Sequence, residues 1–425
     1  MKSIFRNVYF VLFLSLSSLL GHQSLFAQQR SFASWRTYVT PNRGTAVVAR
    51  GDQYFAATSG GILEFDRRTG EIRQFTTIEG LTAIDPTSIA VDPNSGQVFL
   101  GYEDGSINYF TDPNDIKVLT DIKRSTNFPD RRINRFAISQ GLLYVATNFG
   151  LVVYDLQTLR PVADAAQFGD NPSNQPVSQV AVYDSRIYLL LEGIGVFSID
   201  QNFPNLRDPN AWQDERISSN LPTTAQVRLL VASDFGLYAQ TQETVLEKQG
   251  NNWAEFPPFA GRKGLIHATP DFVASTLLTS AQVIDREGQL DAFNVDGAIS
   301  DLGVSAKGEY ALVTAFSGMF TYSQGFISRI QTDGPGSNDC VRIAAGNGEL
   351  YVAPIGYDRI FIPTPRLDGI YYYNHQQGRW KNIDASSELP PEVNEGFARA
   401  YYDPSTRQAY LGSFGEGIVI LKDGV

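Results

Sequence analysis

The chain has 425 residues, which is enough for a sizeable core and for two or three domains. Its 43% hydrophobic and 12% aromatic residues, with 37 glycines, indicate a globular protein rich in strands and tight turns. A net charge of -11 excludes nucleic acid as a partner. The single cysteine, Cys340, excludes an internal disulfide and is expected to be a small buried residue.

The first 27 residues are typical of a secretory signal peptide. Lys2 and Arg6 precede an apolar run from Val8 to Leu20, and the small residue Ala27 predicts cleavage before Gln28. The run is shorter than the ~20 residues of a membrane-spanning helix. We therefore expect an exported protein with no transmembrane segment after cleavage.

A short motif of two apolar runs around a reversal recurs along the chain. Its first four copies are QYFAATSGGILEFD, QVFLGYEDGSINYF, LLYVATNFGLVVYD and RIYLLLEGIGVFSID. Their anchors Tyr54, Phe99, Tyr144 and Tyr188 lie 45, 45 and 44 residues apart. Repeats of about 40 to 50 residues are typical of propeller blades. Less regular copies bring the number of units to nine and begin at Leu237, Phe272, Tyr310, Leu350 and Ala409.

The units predict an all-β fold, a β-propeller of repeated four-stranded blades, with one seven-bladed ring plus part of a second. In the third unit, residues 133–139 and 142–147 are the first two strands, and Asn148–Gly150 is the reversal before the third strand. The predicted domains are 28–335, the first propeller, and 336–425, a partial and apparently truncated second one. A closed nine-bladed ring is the alternative.

The four tryptophans occupy one place in the repeat. Trp212, Trp253 and Trp380 follow third strands and mark a fourth, outer strand. Trp35 has no strand before it, so an amino-terminal strand is expected to complete the blade at the end of the ring.

Little catalytic chemistry is visible in the sequence. The two histidines after the signal peptide, His267 and His375, are far apart, and no HExxH, GxSxG or paired-cysteine motif is present. The segment 291–301 resembles a calcium loop but lacks its closing glutamate, so a hairpin turn at Asp296–Gly297 explains it better. We predict no enzyme activity, no catalytic residues, no cofactor and no metal.

The segment 359–374, RIFIPTPRLDGIYYYN, is an aromatic and proline-rich insertion. Insertions between strands of a blade usually lie on a rim of the propeller, where partners bind. Phe361, Tyr371 and Tyr373 are therefore candidate partner-binding residues, and at least one of the three consecutive tyrosines should face outward. Ordinary strand packing is the alternative.

The stretches GYEDGSINYF, NDIKVLTDIKRSTNFPDRRINRF and LLYVATNFGLVVYDLQTLRPVADAAQFGDN resemble the amino-terminal β-propeller domain of the PorZ family. The resemblance covers roughly residues 35 to 200. It implies two seven-bladed propellers followed by a β-sandwich. It also implies a non-enzymatic surface component of the type IX secretion system of Bacteroidetes, which binds the sortase complex and an anionic lipopolysaccharide.

The chain differs from the family because it ends after GSFGEGIVILKDGV without a sandwich domain. Two functions remain as alternatives to the secretion scaffold. One is a periplasmic sensor propeller of a two-component regulator, and the other is a propeller enzyme that acts on glycans.

Overall fold

In a computed structural model the chain is almost entirely β-structure. The structure describes residues 36–222, 226–354, 356–357, 362–364, 369–384, 389, 396–414 and 417–422. Met1–Thr37 and Tyr38–Val425 are separate units, and every described sheet belongs to the second. The predicted signal peptide and Trp35 lie outside the described residues.

Antiparallel four-stranded sheets with strands in sequence order form the first seven blades. Blades 1 to 4 contain the strands β1 (Gly44–Arg50), β2 (Gln53–Thr58), β3 (Gly61–Asp66), β4 (Ile72–Phe75), β5 (Ser88–Val91), β6 (Val98–Gly101), β7 (Ile107–Phe110), β8 (Lys117–Leu119), β9 (Ile133–Ser139), β10 (Leu142–Thr147), β11 (Gly150–Asp155), β12 (Arg160–Ala165), β13 (Val177–Tyr183), β14 (Arg186–Leu191), β15 (Gly195–Asp200) and β16 (Gln213–Asp214). Blades 5 to 7 contain β17 (Leu229–Ala232), β18 (Leu237–Gln240), β19 (Val245–Gln249), β20 (Asn252–Glu255), β21 (Leu265–Thr269), β22 (Phe272–Leu277), β23 (Ser280–Asp285), β24 (Leu290–Asn294), β25 (Ile299–Ala306), β26 (Glu309–Thr314), β27 (Gly318–Ser323) and β28 (Phe326–Ile330).

Two further sheets follow the seventh blade. Blade 8 consists of β29 (Arg342–Gly346), β30 (Glu349–Ala353), β33 (Ile370–Asn374) and β34 (Arg379–Ile383), with a two-stranded hairpin, β31 (Gly356–Tyr357) and β32 (Pro363–Thr364), inserted after its second strand. Blade 9 has three described strands, β35 (Phe397–Asp403), β36 (Gln408–Ser413) and β37 (Ile418–Lys422). The described helices are single turns in connecting segments: Asp121–Arg124, Pro209–Ala211, Glu215–Ser218 and Pro257–Phe259. None of the helices within the described ranges approaches the length and apolarity that a membrane crossing requires.

The repeat anchors lie where the sequence predicts. Tyr54, Phe99, Tyr144 and Tyr188 are on the second strand of blades 1 to 4, and all four are buried. Because successive side chains of a strand point to opposite faces, each sheet packs one face on the preceding blade and the other on the following blade. Gly101 shows how closely the blades approach, since a Cβ atom there would lie 2.4 Å from the Ile133 side chain of the next blade.

The ring closes after seven blades. An apolar core joins blade 7 to blade 1 and includes Val47, Tyr54, Val313 and Met319. The first strands of the two blades, β25 and β1, pack side by side. Both blades have four strands of their own, so closure needs no contribution from Trp35. The nine-bladed alternative is therefore wrong, and a seven-bladed ring followed by two blades of a further array is confirmed.

The other tryptophans confirm the place of the fourth strand. Trp253 lies in β20 and Trp380 in β34, and Trp212 immediately precedes β16. The rings of Trp212 and Trp253 are part of interblade cores, and Trp212 makes a T-shaped contact with Phe168.

Two local predictions are wrong. Asp296–Gly297 is not a hairpin turn, because it joins β24 of blade 6 to β25 of blade 7, which belong to different sheets. Cys340 is exposed rather than buried, because it lies in the segment between β28 and β29, outside the packed sheets.

Candidate functional site

The seven-bladed ring surrounds an axial cavity of about 430 Å³. Its walls are the first strands of blades 1, 2, 3, 6 and 7 and the loops after three of them. A first strand pairs with its own second strand along one edge only, so the other edge turns toward the axis. A neighbouring hollow of about 230 Å³ shares Arg135, Phe136 and Pro270 with the cavity.

A buried carboxylate, Asp301, joins three blades at the wall of the cavity. Its Oδ2 accepts a hydrogen bond of 3.0 Å from the backbone N–H of Val47 in blade 1. Its Oδ1 lies 2.7 Å from Nδ1 of His267 in blade 6. The other ring nitrogen of His267 is 3.0 Å from the Thr276 hydroxyl. Asp301 itself is on β25 of blade 7, next to a register shift between β25 and β26.

The surroundings of Asp301 favour its ionised form. Burial by itself would raise the pKa of this carboxyl group. The hydrogen bond from His267, its electrostatic interaction with the carboxylate, the positive charge of Arg135 and the Val47 N–H outweigh burial, and the pKa lies below the ordinary value of 3.8. The carboxylate is thus held as an anion at neutral pH.

Arg135 is a further charged residue in the wall of the cavity. It is on β9 of blade 3 and lines both the cavity and the neighbouring hollow. Across the described part of the chain, its guanidinium makes no hydrogen bond and no ion pair with another residue. In Arg50, also in the wall, each of the three guanidinium nitrogens has a partner, because it donates to Gln53, Gly96 and Thr111.

The predicted partner-binding residues that the structure describes do not lie at the axis. Phe361 is outside the described residues. Tyr371 and Tyr373 are on β33 of blade 8 and are only 1% and 8% exposed. Tyr372 is also buried, so the expectation that one of the three tyrosines faces outward is wrong. Packing on both faces of blade 8 explains this, since Tyr372 joins the core shared with blade 9 and Tyr373 contacts Tyr38 and Trp380.

Sequence reasoning missed the axial residues. Asp301 closes the segment that resembles a calcium loop, and His267 was noted only as an isolated histidine. Asp301 contacts His267, 34 residues away, and Val47, 254 residues away. No local sequence motif indicates contacts over such distances. The available signal was their place in the repeat, because both lie on the strand just before a repeat unit, where 133–139 lies in the third unit. Among the described residues, no group of histidine, cysteine and carboxylate side chains could hold a metal ion.

The architecture defines a β-propeller protein with a closed seven-bladed ring. Residues 54–213 match the family model described as "TSS9, PorZ, N-terminal beta-propeller domain". The matched part of the chain spans most of blades 1 to 4 and is similar to the amino-terminal propeller of that family. Comparison with the sequences of curated proteins gives no match.

Many solved structures resemble the chain, among them two bacterial surface or extracellular proteins. PorZ of Porphyromonas gingivalis, described as an essential bacterial surface component of the type IX secretion system, matches with a TM-score of 0.74 and 21% identity over 92% of this chain and 52% of that one. The extracellular domain of a hybrid two-component system from B. thetaiotaomicron matches with a TM-score of 0.50 and 12% identity, over 91% of this chain and 54% of that one. The chain thus spans about half the length of each. At these identities the likeness shows the propeller fold alone.

Proposed function

We propose that the chain is a non-enzymatic scaffold component of a type IX secretion system that works by binding. The match of residues 54–213 to the PorZ propeller family carries this proposal. The likeness in fold to the P. gingivalis surface component over 92% of the chain supports it. Its partners in this proposal are the sortase complex and an anionic lipopolysaccharide at the cell surface, the ligands that the family resemblance implies.

The domain organisation is part of the same proposal. Residues 1–27 are a signal peptide, 28–335 contain the first propeller, and 336–425 are part of a second one. The closure of the ring between β25 and β1 supports a first propeller that ends near Ile330. The pattern of Lys2, Arg6 and the apolar run supports export to the periplasm or the outer-membrane surface.

The contact of the insertion with a partner also remains a proposal. Tyr371 and Tyr373 are buried, so they would support the shape of the insertion rather than contact a partner directly. Ile362, next to Phe361, is 56% exposed and is the described residue of this segment best placed for contact.

Deletion of the gene in the organism that encodes the chain tests the secretion role. We expect type IX cargo to accumulate unprocessed in the periplasm and to disappear from the cell surface. Complementation with the wild-type gene should restore surface cargo. Cargo that is exported and anchored normally in the deletion strain would contradict the proposal and favour the sensor propeller.

A further inference from the structure

The axial cavity has the size and wall chemistry of a small-molecule site. Its volume of about 430 Å³ falls within the range of about 300 to 1,000 Å³ that is usual for such sites. Val47, Ile89, Val91, Phe136 and Val304 provide apolar surface. Open backbone edges of the first strands add hydrogen-bonding groups around that surface.

The acidic groups of the wall are already engaged. Both oxygens of Asp301 have partners, as described above. Asp92 is used within its own turn, where Oδ1 accepts from the backbone N–H of Asn94 and Oδ2 from the N–H and hydroxyl of Ser95. Among the described residues of the wall, every carboxylate oxygen therefore has a hydrogen-bond partner, and none is left to attract a cationic ligand.

Arg135 differs from these groups because its guanidinium donors are not used by any described residue. A guanidinium presents donors in a planar fork that matches a carboxylate in a bidentate way. Arg135 lies close enough to Asp301 to lower the pKa of the Asp301 carboxyl group. The negative charge of Asp301 opposes the binding of a dianion more than the binding of a monoanion. A single carboxylate on a compact apolar body fits the cavity best.

We propose that the axial cavity binds a small organic monocarboxylate through Arg135, with the apolar body of the ligand against Phe136 and the neighbouring valines. The proposal goes beyond the secretion role and does not depend on it. If the protein serves in secretion but binds no carboxylate, the secretion role stands and the cavity proposal fails. If it binds a carboxylate but does not serve in secretion, the cavity proposal stands and the secretion role fails.

Ligand-detected NMR titration of the whole chain tests the proposal with benzoate, phenylacetate and 2-naphthoate as probes. We expect saturable binding of at least one probe, and binding at least tenfold weaker for Arg135→Gln. Arg135→Lys should give an intermediate loss, since it keeps the charge but not the fork. The matched control is Arg132→Gln, because Arg132 is an exposed arginine just before β9, the strand that carries Arg135, and its guanidinium forms only a long contact of 3.9 Å with Glu103. This variant should bind like the wild type.

Three results would overturn the proposal. The first is no saturable binding of any of the three carboxylates. The second is equal binding by the wild type and Arg135→Gln when both show the same thermal unfolding midpoint. The third is tighter binding of inorganic phosphate than of the carboxylates. The neutral probe 2-naphthalenemethanol should bind weakly and equally to all variants, and a loss of its binding in Arg135→Gln would also contradict the assigned role of the charge.

Discussion

At the scale of single residues, Asp301 is the side chain on which three blades converge. Its carboxylate contacts the backbone of Val47 in blade 1 and the ring of His267 in blade 6, while its own backbone is in blade 7. Because the group is buried, removing it leaves a donor on each side without a partner. This geometry makes Asp301 a polar contribution to ring closure, in addition to the apolar core between blades 7 and 1.

Asp301→Ala should therefore destabilise the ring. Leaving the buried donors of Val47 and His267 without an acceptor costs about 1 to 3 kcal/mol of unfolding free energy for each donor. Urea unfolding followed by tyrosine and tryptophan fluorescence measures the change. Asp296→Ala is the matched control, since Asp296 is an exposed carboxylate in the connection just before β25, and it should change stability by less than about 0.5 kcal/mol. Equal midpoints for Asp301→Ala and wild type would contradict the role of Asp301.

The same carboxylate gives an expected pH dependence. The pKa of Asp301 in the folded chain lies below its ordinary value of 3.8. Its contribution to stability is therefore fully present above that value and is lost as the pH falls through the lower, folded-state pKa. The difference in stability between wild type and Asp301→Ala should be constant at neutral pH and shrink in acid. A difference that grows on acidification would contradict this sign.

At the residue scale, sequence reasoning succeeds where the information is local. Asn148–Gly150 was predicted as a reversal, and Thr147 and Gly150 are indeed the last paired positions of the hairpin between β10 and β11. Gly150 has a φ of +139°, which glycine adopts without a steric penalty. The burial of Tyr371 and Tyr373 could not be predicted, because it depends on tertiary contacts. Tyr373, for example, is hydrogen-bonded to the distant Tyr38.

At the scale of elements, the short helix Glu215–Ser218 connects blades 4 and 5 through a buried ion pair. Oε2 of Glu215 is 2.7 Å from Nζ of Lys248 and accepts a 3.1 Å hydrogen bond from the Trp253 indole. Oε1 accepts from the Ser198 hydroxyl at 2.6 Å. Burial opposes ionisation of Glu215, but these donors outweigh it and its pKa is lowered. The helix is thus fixed to β15, β19 and β20 at once.

Glu215→Ala should cost about 3 to 5 kcal/mol of unfolding free energy, because it leaves the Lys248 ammonium buried without its partner. The double variant Glu215→Leu with Lys248→Met should recover most of this loss, since it removes both charges. Thermal unfolding measures all of these variants. The control is Glu243→Gln, which breaks the exposed pair of Glu243 with Lys263 and should have an effect below about 1 kcal/mol. A double variant as unstable as Glu215→Ala would contradict the explanation by an unpaired charge.

The elements themselves were largely predictable because each blade repeats one hydrophobic pattern. Residues 133–139 and 142–147 were predicted as strands and coincide with β9 and β10. Trp212 marked a fourth strand even though β16 has only two residues, Gln213 and Asp214. The helix Glu215–Ser218 was missed, because four residues are too few to show a helical period.

At the scale of the whole molecule, the segment 38–42 links the seven-bladed ring to blade 8. Asn338, in the connection after blade 7, accepts a 2.7 Å hydrogen bond from the Thr40 N–H through Oδ1. Its Nδ2 donates to the carbonyl oxygens of Thr40 and Ser59. Tyr38 continues the contact by donating to the Tyr373 hydroxyl in blade 8. One side chain thus joins the start of the ring to the segment that leaves it.

Asn338→Ala should loosen this link without unfolding the ring. We expect faster amide hydrogen exchange, measured by mass spectrometry, in peptides that cover residues 38–43, because the buried Thr40 N–H loses its acceptor. Peptides from β10 and β18 should exchange as in the wild type. Asn210→Ala is the control, since Asn210 is exposed and its backbone N–H bonds to Asp208 without using the side chain. Unchanged exchange at residues 38–43 in Asn338→Ala would contradict the link.

The interface between blades 7 and 1 also sets an order of folding. Each other interblade core of the ring joins blades that are neighbours in sequence, whereas this one joins residues such as Val47 and Asp301, 254 positions apart. Contacts between distant residues carry a larger loop-closure entropy and form late. A growing chain can assemble blades 1 to 6 one after another, but the apolar side of blade 1 stays uncovered until blade 7 has been made. We therefore expect ring closure to be the last step of folding. Chains interrupted before residue 299 should expose the apolar side of blade 1 to chaperones and to one another.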